Sequence, residues 1–141
     1  MANSAISLTS DSLVKWGLEK QRTIRKLAIS WTADDATGSI PKLTISNVGG
    51  YVIKVVTDPG ATAPTDNYDI ALEGDTDTTV DHFAGALQNR DTANTECAYP
   101  AASGAATPVW LDPSLSYKVS LSGNVVNSAT GTITLYLVDY L

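Results

Sequence analysis

A chain of 141 residues, 43% apolar and 17% charged, has the commonest size of a single domain and can bury one core without disulfides or metals. Its mean hydropathy is close to zero, a globular composition that excludes disorder as the organising state. A net charge of -6 and a sequence pI of about 4.4 speak against any duty that neutralises many phosphates, so nucleic acid is not an expected partner.

The charge is uneven. Lys15, Lys20, Arg22, Arg25 and Lys26 form a basic early stretch, and Asp58, Asp66, Asp69, Glu73, Asp75, Asp77 and Asp81 an acidic middle. Two differently charged faces suit partner choice and register more than raw affinity. Residues 1–8 carry no basic or long apolar leader, and no run approaches the roughly eighteen apolar residues of a membrane span. Neither an export signal nor a span is expected. Cys97 is the single cysteine and no Asn-x-Ser/Thr sequon occurs, which fits a protein made in a cytoplasm with no intrachain disulfide.

In chain order, residues 1–22 read as an N-terminal arm or edge segment. Ile6, Leu8, Leu13, Val14 and Trp16 are apolar there but fit no clean period. Residues 23–141 read as one β domain. Leu27, Ile29 and Trp31 alternate with Ala28, Ser30 and Thr32, which predicts a strand over 23–32, and the following Asp and Gly residues predict a turn. Further strands are predicted over 41–46, 51–57 and 68–72. Val80, Phe83, Ala84 and Leu87 fall at i, i+3, i+4 and i+7, so 79–87 is the one short helix expected, weakened by Gly85. Tyr117, Val119 and Leu121 alternate with polar neighbours over 116–122. Thr132, Thr134 and Tyr136 alternate with Ile133, Leu135 and Leu137 over 131–140. The last two segments read as an antiparallel hairpin joined by a long loop. Short strands at regular spacing with turn signals between them give an all-β class: an antiparallel β-sandwich or barrel with an N-terminal arm and at most one short helix. Trp31, Tyr68, Tyr117, Val119 and Leu135 are the expected core.

Catalytic constellations are missing from the sequence. His82 is the single histidine, and no Gly-x-Ser-x-Gly elbow accompanies it. Cys97 has Glu96 beside it, the wrong charge for an activated thiolate. One Cys and one His do not make a zinc site. Asp75, Asp77 and Asp81 offer hard oxygens on one loop but depart from the EF-hand pattern, and a solvated acidic turn is the plainer reading. No phosphate-binding glycine loop appears. No catalytic residue, metal or cofactor is therefore expected. The three tryptophans and six tyrosines fit core packing, an interface, or stacking on sugars.

The run Pro64-Thr-Asp-Asn-Tyr-Asp-Ile-Ala-Leu72, an acidic turn, Gly85-Ala-Leu-Gln-Asn-Arg90, the pair Pro108-Val109 and the closing Gly131-Thr-Ile-Thr-Leu-Tyr136 strand resemble a group of small virion proteins of tailed bacteriophages. Their loose pattern is Pro-x-Asp-x-Tyr-Asp-Val-x-Leu, an acidic turn, Gly-Gly-x-x-x-Asn-Arg and a final Gly-x-hydrophobic-x-hydrophobic-Tyr strand. The likeness spans about residues 24–138. It departs at Ala84-Gly85, where a Gly pair is common, and in an Ala/Gly-rich insertion over 101–107.

This resemblance implies a β-rich structural component of a virion, and no enzyme. With the acidic overall charge and the basic early stretch, it leads to the expectation of a capsid decoration, or cement, protein on the outer surface of a mature shell, assembled in the host cytoplasm. Its partner would be the major capsid protein, with homo-oligomers, a trimer among them, and no nucleic acid or membrane. Trp16, Lys20, Arg22, Arg25 and Lys26 are the expected contact residues. The alternatives are a head-to-tail connector or tail-tube component, and a carbohydrate-binding module of a host-adhesion structure.

Overall fold

β-Branched and aromatic residues at every second position leave one face of a segment apolar, and such a segment is stable only when that face is covered by another. The computed structural model describes residues 4–16, 22–102 and 105–139, and within them this rule builds two antiparallel sheets packed face to face. The strands are β1 (Ala5–Trp16), β2 (Arg22–Thr32), β3 (Leu43–Ser46), β4 (Gly50–Pro59), β5 (Asp69–Gly74), β6 (Glu96–Ala98), β7 (Ala101–Ala102), β8 (Ala105–Ala106), β9 (Val109–Leu111), β10 (Ser116–Ser122) and β11 (Thr130–Val138). The larger sheet runs β1-β2-β11-β4-β6, with β9 also on β4; the smaller runs β3-β10-β5; β7 and β8 pair as a minor ribbon. The expected all-β, sandwich-like class is what forms.

The core lies between the sheets. From the larger sheet, Leu27, Leu135, Val55 and Ala98 stand in one cross-strand row, and Ile29, Ile133 and Thr57 in the next; all are buried. From the smaller sheet come Ile45 beside Tyr117, and Val119 beside Leu72. The five expected core residues Trp31, Tyr68, Tyr117, Val119 and Leu135 are all buried. Trp31 and Tyr68 meet with ring centroids 5.9 Å apart, and burial pushes the Tyr68 hydroxyl up to about 12.

Two expectations fail. The predicted C-terminal hairpin does not form, because β10 sits in the smaller sheet between β3 and β5 while β11 sits in the larger between β2 and β4. Placed in opposite sheets, the apolar rows of the two strands face each other across one core; an isolated hairpin would bury neither. The link 123–129 therefore crosses between layers, pinned by the buried Asn124. Its Nδ2 donates to the Gly38 carbonyl at 2.7 Å and its Oδ1 accepts from the Thr65 N–H at 2.9 Å, tying separate loops together.

The helix expected over 79–87 is also absent; the segment is a succession of tight turns. Asp81 ties the turn to itself and to β5: Oδ1 accepts from the Phe83 N–H and from the Leu72 N–H of β5, and Oδ2 from the Gly85 N–H at 2.9 Å. Ala84 and Gly85 have φ of 51° and 81°, which no α-helix contains. Phe83 and Leu87 are nevertheless buried, as the spacing suggested, while Val80 stays exposed. The turn segment lies along the outer edge of β5, where the Ile70 N–H donates to the Leu87 carbonyl and the His82 N–H to the Leu72 carbonyl.

Residues Ala5–Trp16 form the edge strand of the larger sheet, in register with β2 from Ala5 opposite Thr32 to Trp16 opposite Arg22, with a bulge between Leu8 and Ser10. At the Trp31 end, Gly131 stands opposite Trp31, and a Cβ there would lie 2.5 Å from the ring. The indole needs a glycine across from it. Gly131→Ala is expected to cost about 1–3 kcal/mol through overpacking, read as a lower midpoint in urea together with a shift in tryptophan fluorescence. A variant as stable as the parent would mean that the indole moves freely.

Candidate interaction surface

Side chains that point away from the core form the second face of the larger sheet, and no second sheet covers that face among the described residues. Lys26, Tyr136 and Lys54 lie in one cross-strand row on β2, β11 and β4. The two ammonium groups stand 5.2 and 4.8 Å from the Tyr136 ring centroid. Each is a cation-π contact worth about 0.5–1 kcal/mol at a half-exposed site, and together they fix two positive charges above one ring.

One step along the strands, Val14, Ile24, Val138, Tyr51 and Trp110 form an apolar row running from β1 to β9. Trp110 is 49% exposed and Val14 50%. The Tyr51 and Trp110 rings meet with centroids 5.0 Å apart, tilted by 54° to each other. A bulge in β4 opposite Tyr136 and Leu137 resets the alternation, so that Val52 and Val55 both face the core while Tyr51 and Lys54 both face outward. In the opposite direction the face becomes small and polar, through Ala28, Thr134 and Val56 to Ser30, Thr132 and Asp58. The result is an apolar-aromatic band, a basic row beside it and a polar remainder.

The five expected contact residues meet different fates. Lys26 belongs to the face just described. Arg25 is turned to the other side, where its Nε and Nη2 donate to the Asp11 carboxylate at 2.8 and 2.6 Å and its Nη1 to the Asn47 carbonyl at 3.1 Å. It clamps β1 to β2 and to the turn after β3. Trp16 and Arg22 stand opposite each other at the end of the β1–β2 ladder, and Lys20 lies outside the described residues. Tyr51, Lys54 and Trp110 could be added to the set only once β4 was known to neighbour both β11 and β9. The alternation within each strand marks the outward residues, but it does not say which strands are neighbours.

The acidic loop does not converge on a point. Asp75 pairs with Lys118 at 3.4 Å, Asp77 accepts from the Thr79 N–H and hydroxyl, and Asp81 is spent on backbone donors. No group of three or more His, Cys, Asp or Glu side chains among the described residues is arranged to hold a metal ion. His82 meets Tyr117 edge-on at 5.2 Å, in a cleft of about 410 Å³ whose lining includes Val80, Leu115 and Asp77. Cys97 is exposed on β6, in the other sheet. No helix among the described residues is long and apolar enough to cross a membrane. No protein-family model matches the chain, and no curated protein matches it either.

The Arg25 donors hold the Asp11 carboxyl below its ordinary value of 3.8. Because the folded pKa is the lower one, the pair's contribution is present above that value and is lost as pH falls through the folded pKa. Asp11→Asn is expected to lower stability by about 0.5–1 kcal/mol near neutral pH, the upper range for an ion pair open to solvent on one side. Urea melts at decreasing pH should show this gap closing in acid. A gap that persists there would rule out the ion pair as its source.

Proposed function

We propose that this chain is a non-enzymatic structural protein of a tailed-phage particle, a decoration protein that binds the outer surface of the mature shell through the uncovered face of its larger sheet. The observation that carries the reading is the placement of Lys26 and Lys54 around Tyr136, next to the Val14 to Trp110 band. On a chain of net charge -6, a face with two fixed cations beside an exposed indole is where an acidic protein surface docks most favourably. The partner of that face is the major capsid protein. The acidic remainder would point to solvent and oppose non-specific aggregation of the free protein. Binding to the assembled lattice and not to its separated subunits would stabilise the shell by mass action, with no reaction involved. The resemblance of the 64–90 and 131–136 segments to small virion proteins supports the same class.

A second reading draws on the half-exposed Trp110 indole, held against the tilted Tyr51 ring, which is also a platform for a sugar ring. It makes the chain a carbohydrate-binding module of a host-adhesion device.

Purified protein mixed with mature capsids stripped of accessory proteins should sediment with them and give regular density on the outer lattice. The double variant Lys26→Glu, Lys54→Glu should bind at least about tenfold more weakly while still folding cooperatively, its thermal midpoint lowered by a few degrees through loss of the two cation-π contacts. Failure to bind shells, with closed rings formed in isolation, would move the chain to the neck or tail. Failure to bind shells, with glycan-array binding that Trp110→Ala removes, would favour the second reading.

A further inference from the structure

Sheet edges present unpaired backbone donors and acceptors, and a protein that stays monomeric blunts them. Most edges of this sandwich are managed. The outer edge of β5 is occupied by the turn segment that brings Leu87 and His82 to Ile70 and Leu72. The side of β4 away from β11 is taken by β6 and β9. β3 is only 4 residues long and follows Pro41 closely. β1 differs from all of these: it is 12 residues long, contains no proline, and has β2 on one side with no strand on the other among the described residues. Apolar side chains stand exposed along its outer part, where Leu13 is 66% exposed and Val14 half-exposed.

The charges on this strand decide what fits the edge. Asp11 and Lys15, the acidic and the basic residue of β1, lie at equal distances on either side of Leu13. Alternation puts Asp11, Leu13 and Lys15 on one face of the strand. In an antiparallel pair of identical strands centred on Leu13, Asp11 therefore stands directly across from Lys15 of the other copy, twice, with Leu13 against Leu13 between them. Centring the pair on Asp11 or on Lys15 would set like charges against each other, which is destabilising for directly opposed residues. The bulge between Leu8 and Ser10 marks where the regular part of the edge ends, so residues 10–16 form the paired stretch.

We propose that the free edge of β1 takes a second copy of this chain, pairing antiparallel with the same strand about a twofold axis at Leu13, so that the two larger sheets join into one. This is an isologous contact, self-complementary and closed at two copies. Asp11 already holds Arg25 of its own chain with both oxygens, so Lys15 of the second copy completes a three-membered charge row at each end of the contact. The inference does not depend on the shell-binding role, and its test needs no capsid.

The full chain should sediment as a reversible monomer–dimer system. Lys15→Asp, a change at an exposed position, sets carboxylates against each other and should raise the dimer dissociation constant at least about tenfold without lowering the thermal midpoint of the monomer. In a Cys97→Ser background, Leu13→Cys should form an intermolecular disulfide under mild oxidation, because directly opposed residues of an antiparallel pair have Cα atoms about 4.5–5.5 Å apart, within disulfide reach. Leu8→Cys in the same background should not. A monomer at every accessible concentration, a dimer indifferent to Lys15→Asp, cross-linking at position 8 in place of 13, or open-ended or ring assemblies would each overturn the proposal.

Discussion

Everything in this molecule depends on covering the inward row of β11. Ile133, Leu135 and Leu137 stand between β2 on one side and β4 on the other, and all three are buried. A strand flanked on both edges can withdraw its apolar face from water only if another layer lies over it, and β10 with its neighbours supplies that layer. The same requirement explains why β10 and β11, successive in the chain, part company. Each carries an apolar row that the other's sheet must cover, so the connection between them spans the sandwich end and needs its own anchor in Asn124. Gly131 follows from it as well, because the large Trp31 ring at the end of this row fits only against a residue without a side chain.

Once the core is fixed, the edges become the remaining source of unsatisfied backbone groups, and the loops are shaped to deal with them. Asp81 shows how local chemistry overrides local period. A carboxylate that accepts from Leu72 of β5 and from Phe83 and Gly85 of the turn fastens the turn to the edge of β5, and the apolar Phe83 and Leu87 still reach the core. Asp34 acts similarly at the other turn, where its carboxylate accepts the N–H groups of Ala36 and Thr37 at 2.8 Å, which holds its pKa below the ordinary value. Asx-type turns of this sort let a chain rich in Asp, Asn, Ser and Thr fold its connections tightly without helix.

Strand content was legible in the sequence because alternation is a local property. The predicted 116–122 coincides with β10, and 23–32 differs from β2 by one residue at its start. β6 and β9 were not legible, since three residues contain too little alternation to register and these strands exist only because the edge of β4 is there to pair with. β1 was half legible: its apolar residues were visible, but Ser7, Ser10 and Ser12 on an exposed edge give no buried face and so no clean period. The partner of each strand was beyond reach for the same reason throughout. Pairing is decided by which apolar rows cover one another, so the hairpin expected from adjacency in sequence gave way to a crossover between sheets.

The candidate surface inherits that limit, and its physics follows from the topology. Lys26 and Lys54 are distant in sequence and would repel if brought together in water. On the sheet they flank Tyr136, whose ring face offers each ammonium group a region of negative potential. This arrangement keeps two positive charges close on a chain whose overall charge is negative, at the cost of a modest mutual repulsion that an acidic partner would relieve. A surface with such built-in frustration favours an acidic partner and disfavours a basic one through like-charge repulsion. Charge placement of this kind adds little to the stability of the sandwich itself. Its physical consequence lies in what the face will and will not bind, which is why the proposed role rests on the uncovered side of the larger sheet and not on the acidic loop or the cleft beside His82.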